Sequence, residues 1–240
     1  MENLHKTNKN PLTIIVPARG GSERVPGKNI RVFFGRPLIQ WTIEQAIRSE
    51  VAPWIYVSTD SHEIAAVAET SGARVIFRPE SISGPEAPSE EALIHAVEIV
   101  TRDSGQQPFG VVMLQCTAPL RRPDDIRGAA ALFLGTGAGS VLSVVQTRDF
   151  LWAGPPETPR ALTYDPKHRP RSQEMAPVYR ENGSIYITSC RRLIETGNRL
   201  NDPVRLYVMP EYADLDIDAE EDFRRGEYLM RFHAEDLGLG

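Results

Sequence analysis

The stretch Pro17-Ala-Arg-Gly-Gly-Ser-Glu-Arg-Val-Pro-Gly-Lys-Asn29 holds three glycines, two prolines and the cations Arg19, Arg24 and Lys28. Glycine lets backbone N–H groups approach phosphate oxygens, and nearby cations hold the charge. Gly20, Gly21 and Ser22 are therefore expected to face a phosphate, with Arg19 and Lys28 as its counter-charges. The pattern is neither a GxGxxG fingerprint nor a Walker A box, since Asn29 follows Lys28 where Ser or Thr would stand. The competing reading is a basic surface loop.

Three further segments carry polar groups at useful spacing. In Leu215-Asp-Ile-Asp218 the acids stand two apart; in extended backbone they share a face. Two carboxylates on one side suit Mg²⁺ with phosphate oxygens completing its shell. An acidic helix start competes, because Asp214, Glu220, Glu221 and Asp222 also suit a helix dipole. Arg169-Pro-Arg-Ser-Gln173 and Tyr179-Arg-Glu-Asn-Gly183 offer arginines for bidentate contacts to carboxylate or phosphate, or form a solvated basic loop. Gln115-Cys-Thr-Ala-Pro-Leu-Arg121 offers amide, hydroxyl and guanidinium groups to a base or sugar, or else turn and cap chemistry before Pro123. No histidine lies near Cys116 in sequence, so it reads as a packed thiol rather than a nucleophile. The five histidines show no short-range pairing and read as structural or exposed. Trp41, Trp54 and Trp152 read as packing residues.

Periodicity supplies the elements that would position these groups. Short β-branched or apolar runs predict strands at 12–16, 54–57, 74–77, 110–114 and 141–145. Between them, apolar spacing predicts helices at 37–48, 61–70, 89–100 and 123–134, with Ser89 as an N-cap. Such alternation implies a mostly parallel sheet covered on both faces, with ligands beyond the carboxyl ends of the strands. The polar clusters Arg19–Asn29, Ser58–Asp60 and Gln115–Arg121 all follow strands and are expected to share one pocket. The pattern breaks over 146–177, which holds six prolines and is too long for an ordinary connection. It reads as an inserted excursion. Strands at 184–188 and 204–208, a short helix at 190–195 and a closing helix at 219–232 complete the chain.

Composition bounds the function. With 240 residues, 41% hydrophobic and 25% charged, the chain can bury a proper core. A net charge of −5 argues against a general nucleic-acid binder, although a local basic cluster can still hold a small phosphorylated ligand. Cys116 and Cys190 make neither a disulfide framework nor a zinc spacing, which suits a reducing compartment. No apolar run is long enough to cross a membrane. Residues 1–11 are polar, with Lys6 and Lys9 and no apolar stretch, and read as a flexible tail. The expected location is the bacterial cytoplasm, with the eukaryotic nucleus left open.

Taken in order, these segments resemble the N-acylneuraminate cytidylyltransferases. The residues carrying the resemblance are Ala18-Arg-Gly-Gly-Ser-Glu-Arg-Val-Pro-Gly-Lys-Asn29, Val57-Ser-Thr-Asp60, Arg78-Pro79, Leu114–Arg121, Ser140–Val145, Arg169–Gln173, Glu181-Asn-Gly-Ser-Ile-Tyr186 and Asp216-Ile-Asp218. They span the chain from residue 12 to about 230. The resemblance implies a single domain over 1–240 with a Rossmann-like, nucleotidyltransferase (GT-A-like) three-layer architecture. It also implies that the excursion, about 146–180, is an inserted segment for dimerisation and substrate contact. The implied reaction joins CTP and a 2-keto-3-deoxy sugar acid to give the CMP-sugar and pyrophosphate, the anomeric hydroxyl attacking the α-phosphorus.

By the same resemblance Arg19 and Lys28 contact the triphosphate, and Asn29, Arg78 and Ser89 hold the nucleotide. Gln115 touches the sugar acid. Arg171 balances the sugar carboxylate or the transition-state charge, and Gln173, Tyr179 and Asn182 belong to the substrate side. Asp216 and Asp218 hold Mg²⁺. The implied assembly is a homodimer or dimer of dimers, with Arg171 reaching the neighbouring copy's site and no nucleic-acid or membrane partner. Two stretches depart from the pattern: Pro85 and Pro88 interrupt Ser83–Ser89, and Cys116-Thr-Ala118 stands at the fourth strand's end. Alternative acceptors are legionaminic, pseudaminic, deaminated neuraminic or 3-deoxy-octulosonic acid. A non-catalytic nucleotide-binding protein is a second class. A hydrolase is a third, unsupported by any GxSxG elbow.

Overall fold

The β-branched runs form the centre of the molecule. A computed structural model describes residues 12–22 and 24–239, so the polar segment 1–11 lies outside the described residues. The strands are β1 (Thr13–Pro17), β2 (Ile55–Thr59), β3 (Arg74–Phe77), β4 (Gly110–Leu114), β5 (Ser140–Thr147), β6 (Val178–Ser189) and β7 (Val204–Met209). They form one seven-stranded sheet in the order β7-β5-β6-β4-β1-β2-β3. Only β6 runs antiparallel to its neighbours, pairing β4 on one side and β5 on the other. The helices are α1 (Leu38–Ser49), α2 (His62–Thr70), α3 (Ser89–Ser104), α4 (Pro123–Thr136), α5 (Cys190–Thr196) and α6 (Glu220–Phe232).

Alternation along the strands divides the core into two layers. Ile14, Val16, Val112 and Leu114 pack with side chains of α1, α2, α4 and α6. Ile15, Val111 and Met113 face the other way, onto Leu93 and Val97 of α3 and Leu193 of α5. The three-layer, mostly parallel architecture expected from the sequence is present. Parallel strands buried on both faces need continuous apolar runs, which is why those runs were visible.

Several local expectations need correction. Ser89 is the first residue of α3 rather than its N-cap; Pro88 occupies the cap and no side chain caps the helix. Trp41 is buried, but Trp54 and Trp152 are half exposed. The Arg74 guanidinium covers the Trp54 ring at 3.4 Å, and Trp152 meets Tyr164 edge-on. β6 starts six residues before the expected 184, because its first half is polar and lies largely open to solvent. β5 and β6 therefore flank the excursion, which holds a two-residue ladder, Trp152–Ala153 with Arg160–Ala161.

Two features fix the strand ends that matter for chemistry. The β5–β6 register shifts between Glu181 and Tyr186, where Gly183 takes φ +68°, a left-handed conformation that glycine adopts without strain. Beneath it lies Arg121, 1% exposed. Its guanidinium donates to Ser184 O at 2.9 Å, to Ser184 Oγ at 3.0 Å, to Thr42 Oγ1 and to Gln115 O at 3.0 Å. Arg121 thus reads as an internal tie rather than a ligand-facing group. Burial pulls its pKa down to about 10, which leaves it charged at neutral pH. Replacing Arg121 with Met strips these buried oxygens of their donors and should cost about 3 kcal/mol of unfolding free energy. Urea denaturation of the variant checks this.

Candidate active site

A cavity of about 350 Å³ opens beyond the carboxyl ends of β1, β3 and β4, lined in part by Arg19, Ser22, Arg24, Lys28, Asn29, Arg78, Ser89, Thr117 and Asp218. The loop after β1 is folded around it by its own polar groups. Asn29 is buried and its Nδ2 donates to Arg19 O at 3.0 Å. Arg19 Nη1 donates to Gly84 O at 3.0 Å and Pro85 O at 2.9 Å. The segment before α3 is therefore held by its carbonyls, which proline leaves intact. Arg78 Nη2 donates to Ser58 O at 2.7 Å, and its buried Nε finds no partner among the described residues. Burial is the first cause lowering the Arg78 pKa; Arg19 adds to it and Asp60 opposes it.

The glycines act differently from a backbone phosphate cradle. Gly20 N donates to Asp60 Oδ1 at 2.8 Å, and Ser22 N turns back to Gly20 O at 3.0 Å. A Cβ on Gly20 would sit 3.0 Å from Ser61 Cβ, so this glycine permits close approach to the turn after β2. Neither Gly20 nor Gly21 lines the cavity, whereas Ser22 does. The cations, more than backbone N–H groups, face the interior.

The acidic pair lies across the cavity from the loop. Leu215 and Ile217 are buried, and Ile217 N donates to Thr117 O at 2.7 Å, so the alternate residues Asp216 and Asp218 turn outward, as the two-residue spacing implies. Lys28 Nζ donates to Ile217 O at 2.7 Å and Asp218 Oδ1 at 3.0 Å. Arg24 pairs with Asp218 Oδ2 at 3.1 Å. The Asp216 pKa is raised, first by desolvation and then by the Asp218 charge; a Thr117 hydrogen bond and Lys28 oppose the shift. Among the described residues no group of three or more His, Cys, Asp or Glu could hold a metal. Two carboxylates alone still suit Mg²⁺, which keeps waters and takes substrate phosphates as ligands.

The remaining expected site residues fall into two groups. Gln115 Oε1 and Asp216 Oδ2 lie 3.1 and 3.5 Å from where a Gly183 Cβ would be, so the glycine lets amide and carboxylate converge. Arg171, Gln173 and Tyr179 are exposed and outside the cavity lining. Asn182 is buried; its Oδ1 accepts from Ser143 Oγ at 2.6 Å and its Nδ2 donates to Ala213 O at 3.1 Å. It supports the bulge rather than facing a ligand. Asp60 and Thr117 were not singled out from the sequence, although each lies in a polar strand-end cluster that was.

A doubly wound α/β sheet with a cation-lined cavity at its carboxyl edge belongs to the nucleotide-binding class of folds. The family profile described as Cytidylyltransferase matches residues 13–147. The chain is 32% identical over 235 residues to the CMP-N,N'-diacetyllegionaminic acid synthase of Legionella pneumophila, covering 93% of this chain and 97% of that protein. It is 32% identical over 229 residues to the N-acylneuraminate cytidylyltransferase of Oncorhynchus mykiss, covering 93% of this chain and 51% of that protein. The chain thus spans about half the length of its fish relative. Among solved structures, a CMP:2-keto-3-deoxy-manno-octonic acid synthetase complexed with CTP has the same fold, with TM-score 0.68 and 18% identity over 93% of this chain and 100% of that one. This chain belongs to the cytidylyltransferase family.

The raised Asp216 pKa predicts a stability effect of definite sign. Folding lifts it above the unfolded value near 3.8, so the folded state favours protonated Asp216 and its ionised form costs stability at neutral pH. Asp216→Asn should raise the melting temperature at pH 7. That gain should fade as pH falls through the raised pKa. Thermal melts at both ends of the range check it.

Proposed function

We propose that this chain transfers the cytidylyl group of CTP to a 2-keto-3-deoxy sugar acid of the nonulosonic type and releases pyrophosphate. The observation carrying this reading is the joining of Lys28 to Asp218 at 3.0 Å: the cationic loop and the aspartate pair, far apart in sequence, share one cavity. Arg19, Arg24 and Lys28 are the counter-charges for a triphosphate, and Ser22 adds a hydroxyl. Asn29, Arg78 and Ser89 take the nucleoside side. Asp216 and Asp218 would hold Mg²⁺, which when bound supplies positive charge to the phosphate oxygens. Gln115, brought beside Asp216 by Gly183, faces the acceptor. We assign the Asp216 carboxylate, which Gly183 lets converge with Gln115, to receive the anomeric proton. The names of relatives, legionaminic and neuraminic, support the acceptor class. Legionaminic, pseudaminic, deaminated neuraminic and 3-deoxy-octulosonic acids are the alternative acceptors, and we assign the reaction to the cytoplasm.

Arg171, Gln173 and Tyr179 lie outside their own cavity, and we assign them to the site of a second copy in a homodimer. Leu151, Trp152, Leu162 and Tyr179 expose large apolar surfaces on and beside the excursion, which favours a protein partner there.

Incubating the chain with CTP and a panel of sugar acids, with and without Mg²⁺, tests the reading through pyrophosphate release. Release should require both an acceptor and the metal. Asp216→Asn with Asp218→Asn should lower kcat/KM by about 10³-fold or more, the scale of losing a charge-stabilising centre. Binding of CTP with no turnover for any acceptor would point instead to a nucleotide-binding protein. Arg171→Ala and Asp218→Asn should each be nearly inactive, yet regain activity when mixed and allowed to exchange subunits. Failure to complement would confine Arg171 to its own protomer.

A further inference from the structure

Thr117, in the turn after β4, has no part in the roles assigned above, yet it joins the two halves of the site. It is half-buried and lines the nucleotide cavity together with Lys28 and Asp218. Its turn is fixed on both sides. Gln115 N donates to Ser184 O at 3.4 Å, and Ala118 N donates to Gln115 O at 3.4 Å. The buried Arg121 donates to that same Gln115 carbonyl at 3.0 Å. Cys116 and Ala118, the neighbours of Thr117 in sequence, are both buried.

The acidic segment docks on this turn. Ile217, between the two acids, has both of its backbone groups engaged. Its N–H donates to Thr117 O at 2.7 Å, and its carbonyl accepts from Lys28 Nζ at 2.7 Å. Each acid then meets one of the same two residues through its side chain. Asp218 Oδ1 accepts from Lys28 Nζ at 3.0 Å, and Asp216 accepts from the Thr117 side chain. Thr117 thus holds Asp216 as Lys28 holds Asp218, but without a charge.

That difference has a chemical consequence. Lys28 and Arg24 set two cations against Asp218. A threonine hydroxyl supplies one donor and no countercharge, and an ionised carboxylate that accepts it keeps further lone pairs for other partners. Burial weighs most against ionised Asp216; the Thr117 hydrogen bond is the main influence in its favour, ahead of Lys28. The branched side chain is stiff at χ1, so a fixed turn gives the hydroxyl a fixed direction.

We propose that Thr117 is a positioning residue of the site. Its carbonyl seats the Asp216-Ile-Asp218 segment, and its hydroxyl aims the Asp216 carboxylate into the cavity while leaving the carboxylate's charge for a metal ion and for the acceptor hydroxyl. The assignment rests on the cytidylyltransferase reading of the cavity and gives Thr117 a part played through Asp216.

Thr117→Val and Thr117→Ser are the test pair. Valine keeps the shape and the carbonyl but loses the donor; serine keeps the donor. Thr117→Val should lower kcat by about 10-fold or more, the scale of removing a partner that orients a metal-ligating carboxylate, and leave the KM for CTP within about twofold. Thr117→Ser should recover most of the loss. A merely structural role would instead lower the melting temperature and raise the KM for CTP, with no recovery in serine, and that result would overturn the proposal. So would full kcat in Thr117→Val. Titration of Mn²⁺ by electron paramagnetic resonance, with CMP present, gives a readout independent of turnover. Wild type and Thr117→Ser should bind the ion with similar affinity, and Thr117→Val about 10-fold or more weakly. That pattern without pyrophosphate release from any acceptor would sink the cytidylyl-transfer reading and keep the role of Thr117. Equal Mn²⁺ affinity in wild type and Thr117→Val, or no binding by wild type, would sink the positioning role whatever the turnover.

Discussion

The site geometry hangs on one buried cation. Arg121 reaches α1 through Thr42, the bulge of β6 through Ser184 and the end of β4 through the Gln115 carbonyl. All these partners are neutral oxygens, so the charge is spread over several dipoles rather than cancelled by a carboxylate. Its Nε is left without a partner among the described residues, and burial lowers its pKa. A charge in such a place is costly unless it is well hydrogen-bonded. Here the cost has a structural return. The antiparallel strand β6 meets the parallel β4 at the level where Gln115, Gly183 and Thr117 must converge on Asp216, and Arg121 fixes that level from beneath.

The cavity above is organised by opposed charges drawn from distant parts of the chain. Its cations come from the first strand's loop and its acids from the segment before the last helix. Asp218 lies against both Lys28 and Arg24, while Asp216 keeps a raised pKa. The two acids, alike in sequence, therefore differ in electrostatics. One lies against two cations. The other bears a desolvation cost that its neighbours only partly offset. One short motif thus sets two carboxylates in different surroundings.

Sequence made visible whatever depended on short-range pattern. The parallel strands were legible because burial on both faces demands continuous apolar runs, and α1, α2, α3 and α4 because their apolar spacing follows the helical repeat. The cationic loop and the aspartate pair were legible because residue type and spacing carry their chemistry. Three matters were hidden. The first half of β6 is polar and open to solvent, so it lacked the strand signal. The engagement of Gly20 N–H by Asp60 depends on β1 and β2 being adjacent, which no local pattern shows. Arg121, read as one polar group in a strand-end cluster, turned out to face inward; an arginine's orientation is settled by its long-range partners.

The charge pattern of the cavity bears on how an acceptor sugar would be oriented under the proposed function. Arg19, Arg24 and Lys28 line the cavity together with Asp218, and Asp216 lies close enough to Lys28 to feel its charge. An acceptor carrying one carboxylate and a neutral polar tail therefore meets a field that orients it before any specific contact forms. The anionic end is drawn toward the cations that also hold phosphate. On the proposed reading, the anomeric hydroxyl, bonded to the carbon next to that carboxylate, is thereby carried toward Asp216 and Gln115. Alignment of this kind lowers the entropic cost of bringing two substrates together, and it arises from which strand ends carry which sign of charge.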